Sequence, residues 1–178
     1  MSRLTDTAES FAKEAHKNQT EKDACKTPYI FHLRRVAALV SLSGGSDEEV
    51  AAAWLHDTIE DTNTNIEDIE KIFGSAITKM VLGCTDLPEW SRLSIADRKA
   101  SQAQRVSKES ESVRRIKLAD QISGGELDAK NERIPIEERK ERLHGVKKVA
   151  EACAGVSRQM DDLFNAVYVE LDWFLNNS

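Results

Sequence analysis

Trp54-Leu55-His56-Asp57-Thr58-Ile59-Glu60-Asp61 packs an imidazole and three carboxylates into two helical turns, directly after an apolar run. Read as a helix at about 100° per residue, His56, Asp57, Glu60 and Asp61 fall at about 0°, 100°, 40° and 140° on the wheel. One side is chemically dense. Trp54, Leu55, Thr58 and Ile59 cover much of the other side and can face a core. Stacking Asp57 and Asp61 with Glu60 between them costs repulsion unless a cation or a water network compensates. A divalent metal is the simplest compensation.

Working outward, Ser46 and Glu49 form a capping-box pattern that opens this helix. Gly44-Gly45 closes the helix before it, which Pro28 can start. A first helix is predicted over 4–18 from the spacing of Leu4, Ala8, Phe11, Ala12 and Ala15, with a polar loop over 19–27. Downstream, Asn65 caps a short helix holding Ile66, Ile69, Ile72 and Phe73, and Gly74-Ser75 punctuates before Ile77, Met80 and Val81. Pro88 makes a break. The charged stretch 93–111 is read as a helix, mobile or closing over a site. A helix over 113–122 ends at Gly124-Gly125. Structure restarts at Ile134-Pro135, and Ser157 caps a last helix with an apolar stripe of Met160, Leu163, Phe164, Val167, Leu171 and Phe174. No segment shows strand alternation, so the fold class is all-α. The closing stripe is read as a core face, with a homodimer surface as the alternative.

The chain has 178 residues, 40% hydrophobic and 31% charged, with 3 prolines and a net charge of -6. That length holds one domain over 1–178 with a substantial core. The acidic balance argues against nucleic acid as a partner, which needs a basic surface. No stretch approaches the roughly 18 apolar residues of a membrane span. The N-terminal residues lack a signal-peptide core. Together these predict a cytoplasmic protein with no membrane partner. Cys25, Cys84 and Cys153 are too few and too scattered for a disulfide scaffold.

Further donors lie on other predicted helices. Tyr29-Ile30-Phe31-His32 supplies a second histidine and Lys117-Leu118-Ala119-Asp120 another aspartate. His32, His56, Asp57 and Asp120 offer two nitrogens and two oxygens, a set suited to Mn²⁺, Fe²⁺ or Zn²⁺. Mg²⁺ fits less well because it prefers oxygen ligands. Taken alone, His32 reads as an ordinary core histidine and Asp120 as a surface or paired carboxylate.

The chain resembles the HD-domain metal-dependent phosphohydrolases, and within them the alarmone hydrolases, including the small stand-alone enzymes. The resemblance rests on His16-x-x-Gln19, Lys22-Asp23, Thr27-Pro28-Tyr29-Ile30-x-His32 and Ala52-Ala53-Trp54-Leu55-His56-Asp57-Thr58-Ile59-Glu60-Asp61-Thr62. Phe73-Gly74, Thr85 and Ile116-Lys117-Leu118-Ala119-Asp120 complete it. It covers residues 4–125 most strongly, with a helical extension over 135–176. The resemblance implies a compact multi-helix fold with the metal between core helices. It implies His32, His56, Asp57 and Asp120 as metal ligands, usually for Mn²⁺. It implies Glu60 and Asp61 as the pair that positions or activates the attacking water. Which of the two is the base stays open, Asp61 being the choice for contacting that water and Glu60 for orienting the assembly.

Family members remove the 3′-pyrophosphate from guanosine tetra- or pentaphosphate, which makes a small phosphorylated nucleotide the expected partner. Lys22, Tyr29, Lys99 and Lys117 are the candidate substrate-binding residues. Lys26 is a further candidate for phosphate, and Arg98 could reach over the entrance beside Lys99. His16 and Gln19 are candidates to brace the site. Three positions depart from the family pattern. Glu21 stands where the family usually has arginine near the base, Gly124 where it has asparagine, and Leu33 where it has proline. The metal core is intact while the substrate-reading residues differ. The alternatives are therefore a hydrolase for another nucleotide, or a nucleotide-binding module without turnover.

Overall fold

The computed structural model describes residues 2–21, 23 and 25–177. Its helices are α1 (Arg3–Ala15), α2 (Ile30–Leu42), α3 (Asp47–Leu55), the single turn α4 (Thr58–Asp61), α5 (Ile66–Cys84), α6 (Ile95–Val106), α7 (Glu111–Lys130), α8 (Ile136–Cys153) and α9 (Arg158–Asn176). A 3-10 turn spans Pro88–Arg92. The all-α reading holds: the only extended pairing among the described residues is an isolated bridge between Thr20 and Pro28.

Local signals set most helix starts. Ser46 and Glu49 form the reciprocal capping box on α3, and the side chains of Asn65 and Ser157 accept from Asp68 and Met160 N–H groups. Helix α3 is apolar on all sides because it is the central element. Ala51, Ala52, Ala53 and Leu55 are fully buried, and α1, α2, α5 and α7 all pack on it. Alanines let those neighbours approach closely, which draws α2 and α7 to the end of α3 that carries His56.

Two expectations are corrected. The acidic octapeptide is not one continuous helix: α3 stops at Leu55, His56 and Asp57 form a turn, and α4 restarts at Thr58. The Asp57 backbone (φ -103°, ψ -2°) breaks the wheel and separates the two ligands from the Glu60–Asp61 pair. The expected punctuation at Gly74-Ser75 is borne out, since Gly74 is non-helical at φ 82° and breaks α5 at a kink into two helical pieces. Gly124-Gly125 does not terminate α7, which runs on to Lys130. A Cβ on Gly125 would lie 3.0 Å from Val146 Cγ1, so this glycine serves close packing of α7 on α8.

The charged stretch forms α6, which packs on α8. A Cβ on Gly145 of α8 would lie 2.5 Å from Lys99 Cγ, so the Lys99 stem crosses α8 at a glycine. On α9, Met160, Phe164, Leu171 and Leu175 are buried, whereas Val169 and Trp173 are each 67% exposed. No helix among the described residues is long and apolar enough to cross a membrane.

Candidate metal centre

Three segments deliver the four predicted ligands to one point. His32 comes from the first turn of α2, His56 and Asp57 from the turn after α3, and Asp120 from the middle of α7. Asp57 Oδ2 lies 3.0 Å from His56 Nε2 and 3.6 Å from His32 Nε2. Asp120 Oδ1 lies 3.4 Å from His32 Nε2 and 3.8 Å from His56 Nε2. Donors bonded at about 2.1 Å to one cation stand about 3.0–3.4 Å apart, whether the shell is octahedral or tetrahedral. Ligating atoms of His32, His56 and Asp57 lie within 4.8 Å of one another. The spacing therefore fits a cation with little closure of the cage.

The tautomers fit as well. His56 is fully buried, and its Nδ1 lies 2.8 Å from the Ala53 carbonyl, which can only accept. Nδ1 thus carries the hydrogen and Nε2 is left as the ligating nitrogen. Nε2 is buried and makes no hydrogen bond, although Asp57 lies beside it. A buried polar atom without a partner calls for an explanation, and a cation between imidazoles and carboxylates supplies one. His32 shows the same division: Nδ1 lies 3.0 Å from Ser123 Oγ, and Nε2 faces the carboxylates.

Without a cation, the cage is charged against itself. Burial disfavours the charged imidazole of His56, but Asp57 and Asp120 overcome this and push its pKa up to about 10. Burial opposes the charged form of Asp57 too, yet His56 holds it below the usual carboxylate range. Asp120 is likewise held down, by Lys117 and the two histidines against its burial.

The surrounding shell is well ordered by hydrogen bonds. Tyr29 OH donates to Asp57 Oδ2 at 2.5 Å, and its ring stacks on His16. Asp120 Oδ2 is held by Lys117 Nζ at 3.0 Å and by Gln121 Nε2 at 3.0 Å. Lys117 also donates to the Cys84 carbonyl, so its ammonium is engaged inside the wall of the cleft. Lys99 Nζ donates to Gln121 Oε1 at 3.0 Å. Burial, reinforced by Lys117, lowers Lys99 to a pKa of about 8.

The acidic pair flanks the cage on α4. Gln19 Nε2 donates to Asp61 Oδ2 at 2.9 Å, and Gln19 Oε1 lies 2.6 Å from His16 Nδ1. An amide oxygen only accepts, so His16 donates and the Gln19 amide has one orientation. Glu60 Oε2 accepts the Asp86 N–H at 2.8 Å, and burial raises the Glu60 carboxyl above its ordinary pKa.

A cleft of about 160 Å³ opens beside the cage, lined by Asp57, Glu60, Asp61, Lys99, Lys117, Asp120 and Gly124 among others. A larger cavity of about 610 Å³ is mostly apolar and meets this chemistry only through Glu60, Asp86 and Arg98. A Cβ on Gly124 would make only ordinary contact, 3.9 Å from Asp120 Oδ1, so a side chain could be held there without a clash.

The structure thus brings together His32, His56, Asp57, Asp120, Glu60, Asp61, Tyr29, Lys99 and Lys117. Lys22 lies outside the described residues. Ser123, Gln121 and Asp86 take part without having been predicted. Ser123 stands three residues after Asp120 on one helical face, a spacing that could have found it. Nothing local in the sequence marks Asp86.

A family model described as an HD domain matches residues 8–168. The guanosine-3′,5′-bis(diphosphate) 3′-pyrophosphohydrolase MESH1 of Danio rerio is 41% identical over 118 residues, covering 64% of this chain and 62% of that protein. Its Homo sapiens counterpart is 35% identical over 117 residues, covering 65% of this chain and 64% of that protein. The chain therefore matches under two thirds of the length of these relatives. A solved structure described as a metazoan ortholog of SpoT that hydrolyzes ppGpp superposes with a TM-score of 0.86 at 27% identity, covering 96% of each chain.

Proposed function

This chain belongs to the HD-domain family, and from that membership we propose that it is a metal-dependent pyrophosphohydrolase. Its proposed substrate is a guanosine tetra- or pentaphosphate, from which it removes the 3′-pyrophosphate. The observation that carries the reading is the convergence of His32, His56, Asp57 and Asp120 beside the Glu60–Asp61 pair. The names of the MESH1 relatives support the substrate. Mn²⁺ is the proposed metal, with Fe²⁺ or Zn²⁺ also compatible with two imidazoles and two carboxylates.

His32, His56, Asp57 and Asp120 would hold a divalent cation, which would supply positive charge to polarise a phosphoryl oxygen and lower the pKa of the attacking water. Asp61, its carboxylate fixed by Gln19, accepts the water proton. Glu60, anchored to the Asp86 N–H, orients the assembly. The water oxygen bonds to the phosphorus attached to the sugar. The bond from that phosphorus to the sugar oxygen breaks, pyrophosphate leaves, and the sugar oxygen takes up a proton. Lys99 faces the cleft and offsets phosphate charge, with Lys117 adding charge from behind Asp120. Tyr29 walls the cleft and holds Asp57.

Residues 1–178 are taken as one hydrolase unit of a cytoplasmic protein, with α8 and α9 packed on α7 as its extension. The exposed Val169 and Trp173 on α9 favour a homodimer through that face. An alternative nucleotide is favoured by one observation, that an added Cβ at Gly124 would meet only Asp120 Oδ1 at 3.9 Å, so the cleft wall is unfilled there.

The test offers guanosine tetraphosphate and its adenosine counterpart with Mn²⁺ and follows released phosphate and pyrophosphate by ³¹P NMR. Mn²⁺-dependent pyrophosphate release that vanishes in a folded Asp120→Ala variant is expected. Turnover of the adenosine compound alone would move the assignment to another nucleotide.

A further inference from the structure

Beside the metal cleft lies a cavity of about 280 Å³ that shares Tyr29, Asp61 and Asp128 with it. Glu21, Asp23 and Arg142 also line this cavity. Its wall is acidic, and the guanidinium of Arg142 is already held by Glu138 and Asp128. Such a wall repels phosphate and attracts groups that present N–H donors.

One acceptor there is incomplete. Oε1 of Glu21 is buried and has no hydrogen-bond partner. The Glu21 backbone is tied down, its N–H donating to the Thr27 carbonyl at 2.7 Å next to the Thr20–Pro28 bridge. The terminal torsion of a glutamate is broad and roughly two-fold, so the carboxylate can turn toward the cavity without moving that backbone. Leaving a buried acceptor unpaired costs free energy. Burial, with Asp23 and Asp128 nearby, also raises the Glu21 carboxyl above its ordinary pKa. A ligand with two adjacent donors removes both penalties.

We propose that Glu21 is the base-reading residue of the cleft, its carboxylate accepting the adjacent N1–H and N2–H₂ donors of a guanine edge while the phosphates lie at the metal cage. The inference rests on the nucleotide reading above and deepens it. Hypoxanthine keeps N1–H but lacks the amino group. Adenine places an unprotonated ring nitrogen where guanine has N1–H, so a lone pair faces the carboxylate. Discrimination comes from the carboxylate left unpaired by the wrong base.

Titration calorimetry of the full chain with guanosine, inosine and adenosine 5′-diphosphates reads this preference without requiring turnover. Guanosine diphosphate should bind most tightly, inosine diphosphate about tenfold more weakly, and adenosine diphosphate more weakly still. Glu21→Gln offers one acceptor and one donor, which suits adenine, and should bring guanosine and adenosine diphosphates within about threefold. Glu21→Ala should weaken guanosine diphosphate alone. Equal affinities in the wild type, no binding of any of the three, or an unchanged ranking in both variants overturns the proposal. A wild type that ranks the bases as expected, loses that ranking on Glu21→Gln, and yet leaves guanosine tetraphosphate uncleaved with Mn²⁺ keeps Glu21 as the base reader and defeats the hydrolase reading instead.

Discussion

The ammonium of Lys117 lies 3.0 Å from Oδ2 of Asp120, so the carboxylate that presents Oδ1 to His32 and His56 is gripped from behind. Both residues sit on α7 one turn apart, and Lys117 is buried. Lys117→Met leaves Asp120 without this counter-charge. Breaking a buried pair from one side should destabilise the metal-free chain by about 3–5 kcal/mol. Because Mn²⁺ replaces the missing positive charge, saturating metal should restore more stability to the variant than to the wild type. Urea unfolding of both chains, with and without Mn²⁺, checks the sign. Equal metal-induced gains in the two would mean that Lys117 and the cation do not share Asp120.

Metal binding should release a proton. In the metal-free chain the His56 pKa is pushed up to about 10 by Asp57 and Asp120, against burial. Below that pH the ring is charged, whereas a ligand nitrogen must be bare. Mn²⁺ should therefore displace about one proton at pH 7, and its affinity should climb as pH rises toward 10. The same raised pKa works in the opposite direction on the metal-free fold. Its stabilising contribution is complete below the unfolded histidine value and is lost as pH rises through about 10. Calorimetric binding enthalpies in buffers of different ionisation heat count the protons directly.

Gln19 and His16 act on the reaction through Asp61. The run His16 to Gln19 to Asp61 holds one carboxylate orientation beside the cage. Gln19→Ala should lower kcat by about 10–100-fold while leaving KM and Mn²⁺ affinity near wild type. Gln19→Glu sets a second carboxylate against Asp61 and should be worse than alanine. A change confined to KM would place Gln19 on the substrate instead.

Lys99 gives the alkaline limb of the pH profile. Burial and Lys117 lower its pKa to about 8. The ammonium is charged below that value and neutral above it, so kcat/KM should fall as pH rises through about 8. Lys99→Arg keeps the charge and should move this limb to higher pH. Lys99→Met should raise KM by about tenfold, the worth of one charge-assisted contact to phosphate, and remove the limb. An unchanged profile in Lys99→Met would take Lys99 out of substrate binding.

Much of this candidate centre was legible along the chain because its predicted ligands sit in compact motifs. His56-Asp57 is adjacent, and Tyr29 to His32 and Lys117 to Asp120 each lie within one helical turn. Capping side chains at Ser46, Asn65 and Ser157 were readable for the same reason, since a cap is an interaction over three residues. Gly124-Gly125 misled because a glycine pair reads locally as a helix stop. Its use as a packing contact depends on Val146, which is distant in sequence.

By itself, the order of residues determined the all-α class and the helix caps, both properties of short range, and it supplied the four candidate ligands as compact motifs on separate segments. Only tertiary structure decided that α3 ends before His56, that Ser123, Gln121 and Asp86 serve the site, and that Lys117 turns inward to Asp120. It also decided that Glu21 lines a cavity beside the cage. Such facts depend on which helices α3 draws together, and that is settled by how side chains far apart in the chain pack against one another.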